Sequence, residues 1–238
     1  MADDPARKTL PRLDESLLSN VPPFSRLDRR QIRALLDQAT SRRFDEGVTV
    51  FAEGEPAERF YLLLDGTIRV VRISDTGEQV TILHIPAGQL FGIAQALGRD
   101  TYPATAITAS ETLALGWPSR LWHTLVSDYA GFASETYSIV GDRVREMNTR
   151  IVETATRRVE QRVATALLRL VNQTGRKVED GIEIDFPITR QDLSDLTGTT
   201  LHTVSRLLSG WERQGLVRSH RRRITVRDPH ALVVISEK

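Results

Sequence analysis

The period of the apolar residues changes along this chain, and that change constrains the fold more than any single residue does. Between Gly47 and about Pro118 the sequence is broken into short β-branched or aliphatic runs at 48–51, 60–64, 68–73, 80–85, 106–109 and 113–117. The pairs Glu53-Gly54, Asp65-Gly66, Thr76-Gly77 and Ala87-Gly88 punctuate them with the glycines that tight turns use. Strands so short and so regularly interrupted predict a small sandwich or barrel. Ahead of them Ser25 is placed to cap a short helix whose Leu27, Ile32, Leu35, Leu36 and Ala39 recur at helical spacing. Beyond Trp122 the period lengthens. Tyr137, Val140, Val144, Met147 and Ile151 are spaced 3, 4, 3 and 4 apart, continuing to Thr154, while Asp142, Arg143, Arg145, Glu146, Arg150 and Glu153 keep the flanks charged. So narrow a seam suits one partner helix better than a broad core. Tyr137, Val140, Val144, Met147, Ile151 and Thr154 are therefore the expected interface of a homodimer, with packing on the chain's own β-domain as the alternative.

Composition narrows what the chain can do. With no cysteine among 238 residues, disulfides, thiolate zinc sites, cysteine-ligated clusters and thiol switches are excluded. No run approaches the roughly 18 apolar residues of a membrane span, and the polar start from Met1 to Lys8 has no signal-peptide core. A cytoplasmic protein is expected. The net charge of +1 hides an asymmetry: residues 157–238 carry 15 Lys and Arg against 10 Asp and Glu, and the remainder 17 against 21. A basic C-terminal part suits a polyanionic partner.

That part also holds the most specific pattern. After a helix over roughly 157–171 and a hairpin-like stretch over 177–186, residues 188–217 read as two short helices joined by a tight turn. Thr189 is placed to cap the first, with Leu193 and Leu196 inward; Gly198 makes the turn; Thr199 or Thr200 caps the second, whose Val204, Leu207 and Leu208 face the same core, and Gly215 stops it. This leaves Thr200, Leu201, His202, Ser205 and Arg206 on the outward face that a recognition helix presents to the major groove of double-stranded DNA. The Arg206 guanidinium fork suits O6 and N7 of a guanine. Val217 to Val226 reads as a β-hairpin wing. Its Arg218, Arg221, Arg222 and Arg223, together with Thr189 and Arg190, are the expected phosphate contacts, and His220 and Arg227 add to the cluster. A phosphate-cradling Gly-rich loop, a Gly-x-Ser-x-Gly elbow and a His-Glu-x-x-His site are all missing from the sequence, so an enzyme is not expected.

The run Ile188-Thr189-Arg190-Gln191-Asp192-Leu193, followed by Gly198 and Thr203-Val204-Ser205-Arg206-Leu207-Leu208, resembles the helix-turn-helix of the CRP/FNR family of transcription regulators. The resemblance extends to Phe60-Tyr61-Leu62-Leu63-Leu64-Asp65-Gly66 in the β-region and to the order of the parts. It implies an α+β chain: an N-terminal β-roll of the cyclic-nucleotide-binding jelly-roll kind within residues 1–130, a dimerisation helix over 131–156, and a winged helix-turn-helix over 157–238. It further implies a homodimer on an inverted repeat with TTG-type half-sites, an effector in the roll, and RNA polymerase as a partner. His202 departs from the glutamate that family members commonly carry four residues before the arginine.

In this family a cyclic-nucleotide pocket places, after its Phe-Gly turn, a glutamate for the ribose and then an Arg-Ser or Arg-Thr pair for the phosphate. Here Leu90-Phe91-Gly92 is followed by Ile93, and Pro103-Ala104 stands where the pair would be. A cyclic phosphate would meet no positive charge, so a different effector is expected. Tyr102-Pro103-Ala104-Thr105-Ala106 and His202-Thr203-Val204-Ser205-Arg206 resemble the NnrR/DNR branch, which implies nitric oxide sensing through haem and control of nitrogen-oxide or anaerobic metabolism. The candidate axial ligands are His84 and His123, with Met147 a poorer third; a regulator that needs no effector is the alternative.

Overall fold

A computed structural model describes residues 14–75 and 77–238, apart from the side chain of Leu17. The polar arm at 1–13, and Thr76 of the Thr76-Gly77 turn, lie outside the described residues.

The first helix, α1 (Arg29–Leu36), buries Ile32, Leu35 and Leu36. Its cap is Asp28, not Ser25: the Asp28 carboxylate accepts from Gln31 N, and the Gln31 side chain answers the Asp28 N–H in a reciprocal capping box. Ser25 instead ends a 3₁₀ turn over Pro22–Phe24, its hydroxyl donating to Pro22 O.

Eight strands follow: β1 (Thr40–Phe44), β2 (Thr49–Phe51), β3 (Arg59–Asp65), β4 (Thr67–Ile73), β5 (Gln79–Pro86), β6 (Leu90–Phe91), β7 (Thr105–Thr108) and β8 (Thr112–Pro118). They form two four-stranded sheets, in the orders β1-β8-β3-β6 and β2-β7-β4-β5. Six of them match the runs read from the sequence. The turn glycines Gly54, Gly66, Gly77 and Gly88 all adopt positive φ, and at Gly66 a Cβ would lie 2.4 Å from Glu111 O, so no other residue fits that turn. β1 went unpredicted because Thr-Ser-Arg-Arg-Phe has no buried position; it is an edge strand held by its backbone pairing to β8. β6 is too short to show a period. Two apolar clusters fill the roll, each with stacked aromatic rings: in one Phe60 stacks on Trp117 and meets Trp122 edge-on, in the other Phe51 stacks on Tyr102, and Trp117 Nε1 donates to Leu35 O at 2.8 Å.

Behind the roll come α2 (Trp122–Asp128) and the long α3 (Ala130–Thr156). Two arginines of α3 tie it to the roll through strand carbonyls, Arg143 Nη2 donating to Leu90 O at 2.6 Å and Arg150 Nη1 to Ile82 O at 2.5 Å. The chain turns at Arg157-Arg158 in extended geometry and enters α4 (Val159–Thr174). Next come β9 (Gly175–Val178), β10 (Gly181–Ile184), α5 (Arg190–Thr197), α6 (Leu201–Arg213), β11 (Val217–His220), β12 (Arg223–Val226) and α7 (Pro229–Glu237). The wing hairpin β11-β12 is extended by β10 and β9 into a sheet of four. A separate apolar core joins α4, α5, α6 and the sheet around Leu167, Ile184, Leu193, Val204 and Leu208. Among the described residues no helix is long and apolar enough to cross a membrane.

Candidate nucleic-acid interface and roll cavity

The geometry of the two-helix turn follows from local chemistry. Thr189 Oγ1 accepts from Asp192 N at 3.0 Å and Asp192 Oδ2 accepts from Thr189 N at 2.8 Å, which fixes the start of α5. Gly198 ends it in the left-handed region at φ 58, a conformation that costs other L-residues roughly 1–2 kcal/mol. Of the two threonines offered as the next cap, Thr200 is the one that serves, its Oγ1 accepting from Thr203 N at 3.2 Å. Val204 and Leu208 are fully buried and Leu207 partly so, which turns the opposite face of α6 to solvent.

On that face Thr200, Leu201, His202 and Arg206 are exposed and Ser205 is half-buried. Leu201 is 45% exposed at the helix start, an apolar side chain with no partner in its own core. Arg206 makes no ion pair among the described residues, so its fork is available. A groove of about 460 Å³ between the starts of α5 and α6 and the wing gathers six of the expected DNA contacts: Thr189, Arg190, Leu201, Arg221, Arg222 and Arg223. Gln191 and His220 line it as well. Nothing in its spacing or residue type selects Gln191, which enters only because the first helix of the turn points its N-terminus at the groove.

The wing arginines are not equivalent. Arg218 pairs with Asp180 at 2.9 Å, and Arg222 pairs with Glu46 of the roll at 2.6 Å. Arg223 faces Glu183 at 3.9 Å, and Arg190 faces Glu212 at 3.8 Å. Arg221 has no such partner among the described residues. Arg221 and Arg222 form the tip of the hairpin at φ 46 and 65, left-handed positions that favour glycine, and these carry both side chains outward.

The roll and the helix-turn-helix are joined through α5. Asp192, 3% exposed, accepts from Thr81 Oγ1 at 3.1 Å and faces Arg69 at 3.4 Å, while Asp195 accepts from Thr81 N at 2.8 Å. Burial alone would raise the Asp192 carboxyl, but the Thr189 hydrogen bonds and the charge of Arg69 hold it below its ordinary value. His84 lies beside this cluster, its ring centroid 4.7 Å from that of Phe186 and both ring nitrogens buried without a hydrogen-bond partner. Burial first, with the Arg69 and Arg150 charges adding, lowers it to about 4 against the opposing pull of Asp192. His84 is a neutral ring packed between domains.

A second concave site lies between the roll and α3, a cavity of about 330 Å³. Phe91 and Gly92 of the Phe-Gly turn line it, as do Ile93, Pro103 and Ala104, the residues that depart from the cyclic-nucleotide pattern, and Val140, Val144 and Met147 reach it from α3. Neither His84 nor His123 is among its lining residues: His84 is at the domain junction and His123 is exposed on α2. The sequence grouped both histidines with the effector pocket, and the structure brings neither to it. Strand His84 points toward the C-terminal domain, and the turn from β8 into α2 carries His123 to the surface. On the outer side of α3, Tyr137, Val144, Met147 and Ile151 are 53, 50, 47 and 67% exposed. Thr154 is exposed beside them, and Val140 instead packs against the roll core.

A β-roll, a long helix and a winged helix-turn-helix in this order together define a DNA-binding regulator. Residues 41–129 match the cyclic nucleotide-binding domain and residues 161–235 the Crp-like helix-turn-helix domain. The global nitrogen regulator of Synechococcus elongatus is 30% identical over 194 residues, 80% of this chain and 86% of that one. A CRP-like cAMP-activated global transcriptional regulator of Mycobacterium tuberculosis is 22% identical over 92% of this chain and 97% of its own length. The crystal structure of a CRP-family transcriptional regulator from Thermus thermophilus superposes with a TM-score of 0.70 at 25% identity, covering 83% of this chain and 97% of that one. The chain belongs to the CRP/FNR family of transcription regulators and is a DNA-binding member of it.

Proposed function

We propose that the protein acts as a homodimer joined along α3, reads an inverted repeat with the starts of its two α6 helices, and is controlled by an effector in the roll cavity that is not a cyclic nucleotide. The observation that carries the reading is the outward face of α6, where Arg206 has no carboxylate partner among the described residues and stands beside a groove rich in arginine. Two-fold symmetry would set the half-sites roughly 10 base pairs apart. Arg206 takes the guanine of a TTG-type half-site, Leu201 lies against a thymine methyl, and His202 and Ser205 meet neighbouring positions. Arg190 and Arg221 to Arg223 hold the phosphates. RNA polymerase is the further partner that the family resemblance implies.

The cavity supports an effector other than a cyclic nucleotide, since Ile93, Pro103 and Ala104 offer neither a ribose acceptor nor a phosphate cation. Haem does not fit its lining: no histidine is there, the Tyr102 hydroxyl is spent on the Arg59 backbone, and Met147 is the one axial-ligand side chain left, so no step runs through haem or nitric oxide.

The test is a band shift on a TTG-to-CAA palindrome, a guanine-substituted palindrome and unrelated DNA. Arg206→Ala is expected to cost about 1–3 kcal/mol per half-site on the palindrome and to remove discrimination at the guanine. Equal weakening on all three DNAs would reduce Arg206 to a phosphate contact and reassign the readout.

A further inference from the structure

Arg143 occupies an unusual place for a cation. It projects from α3 into the wall of the roll cavity, between that cavity and a smaller one of about 250 Å³. Its Nη2 donates to Leu90 O at 2.6 Å and to Gln89 Oε1 at 3.2 Å. Those two bonds use both hydrogens of Nη2, and the other three N–H groups of the guanidinium have no hydrogen-bond partner among the described residues. No carboxylate of the described residues lies within ion-pair distance either. Glu146, the nearest charge of opposite sign in effect, is committed to Arg150 at 2.5 Å. Burial lowers Arg143 to about 10, and Glu146 offsets only part of this.

The two cavities differ in what they would accept. Asp142 and Glu146 line the smaller one, so an anion would be repelled there. The larger one has no carboxylate in its lining, and its other cation, Arg72, is paired with Glu53 at 2.9 Å. The Tyr102 hydroxyl is also spent, donating to Arg59 O at 2.7 Å and accepting from Arg59 N at 3.2 Å. What remains is an apolar chamber with a single uncompensated positive charge.

We infer that the cavity binds a small organic acid with an apolar body and a single carboxylate, the carboxylate pairing with Arg143. One guanidinium balances one negative charge, and its Nη1 hydrogens remain to donate to a carboxylate, whereas a dianionic phosphate would leave a charge buried and unpaired. A sugar or a nucleobase would bury hydroxyls and amines against aliphatic walls that offer them nothing. Val144 and Met147 line the chamber and belong to the exposed outer side of α3, so an occupant touches the helix that is proposed to join the two copies. The inference rests on the reading of the roll as the effector-binding part.

The experiment is calorimetric titration of the full chain with octanoate, octan-1-ol and octylammonium, which share one apolar body and differ in head group. Octanoate is expected to bind about 10-fold tighter than octan-1-ol or better, the usual worth of a hydrogen bond to a charged group, and octylammonium to bind weakest. Arg143→Met should bring octanoate down to the level of octan-1-ol while leaving octan-1-ol unchanged, and Ala104→Trp should fill the chamber and abolish all three. Equal binding of octanoate and octan-1-ol to the unaltered chain overturns the proposal without recourse to any variant, as does saturable binding by none of the three. A preference for octanoate that survives Arg143→Met overturns it too. Cyclic AMP added to the same titration separates the two readings: micromolar binding would remove the non-nucleotide effector, while failure of the head-group series alone would leave the DNA-binding proposal intact.

Discussion

The two domains use arginine in opposite ways. In the C-terminal domain Arg206 and Arg221 stand at the surface with no carboxylate partner among the described residues, whereas the roll draws Arg143 and Arg150 inward against strand carbonyls. The first arrangement suits a partner that brings its own negative charge in bulk, and loses little while the partner is away because water solvates the cation. The second imposes a desolvation cost at all times and is tolerable only where hydrogen bonds or a bound anion offset it. What separates them is the element beneath. The buried stripe of α6 leaves its other face nothing to touch but solvent or DNA, while α3 lies with one flank on the roll and the other bare.

The bare flank gives the largest expected effect. Ile151 is 67% exposed and, unlike Val144 and Met147, does not line the cavity, so Ile151→Asp isolates the seam from the effector site. A charge placed in an apolar interface costs several kcal/mol. Sedimentation should show monomer at concentrations where the unaltered chain is dimeric, and affinity for the palindrome should fall by about 100-fold or more as one half-site's phosphate contacts are lost. A variant that stays dimeric and still shifts DNA would move the interface elsewhere.

The contrast also separates what could be read from the sequence from what could not. The turn over 189–215 was legible because its determinants are local: Thr189 answers Asp192 three residues on, Gly198 takes the one conformation it tolerates best, and the apolar stripe repeats within a helix. The cavity was legible only by what it lacked, at Ile93 and Pro103-Ala104. Its lining comes from β2, β4, β5, β6, β7, the segment between β6 and β7, and α3, and no spacing announces that Arg143 shares one cavity with Phe91 or that Val144 serves both cavity and seam. The domain junction was not legible at all. Thr81 and Asp192 are 111 residues apart, and a threonine in a strand gives no sign of which carboxylate it will meet.

That junction gives the next two effects. Asp192→Ala removes the capping box of α5 and leaves Thr81 and Arg69 without their acceptor. About 1 kcal/mol for the cap and 1–2 kcal/mol for the orphaned donors predict a loss of roughly 2–3 kcal/mol in denaturant unfolding. Gln191→Ala, on the exposed side of the same helix, should stay within about 0.5 kcal/mol. Equal losses would mean that the junction contributes nothing.

His84 predicts a dependence on pH. Its value falls from 6.5 to about 4 on folding, so above pH 6.5 both states are neutral and stability is flat. Below 6.5 the unfolded chain takes up the proton first, and stability declines until the folded value near 4 is passed. The decline attributable to this ring is on the order of 3 kcal/mol. His84→Phe keeps the contact with Phe186 and should flatten that part of the profile between pH 6.5 and 4. An unchanged slope would place the titrating group elsewhere.

The smallest expected effect lies in the wing, where the two tip arginines differ only in a partner. Each phosphate contact contributes roughly one unit to the slope of log affinity against log salt. Arg221 meets DNA at no cost beyond its own desolvation, but Arg222 must first leave Glu46, an exposed pair worth at most about 1 kcal/mol. Arg221→Ala should therefore lower both affinity and slope, equally on the palindrome and on unrelated DNA, and Arg222→Ala should lower them less. Glu46→Gln sharpens the point, because it leaves every DNA contact in place and frees only Arg222. Its affinity at low salt should rise by a few-fold, with no change in discrimination at the guanine read by Arg206. If Glu46→Gln changes nothing while Arg222→Ala matches Arg221→Ala, the pair does not restrain the wing, and the two arginines meet phosphate on equal terms.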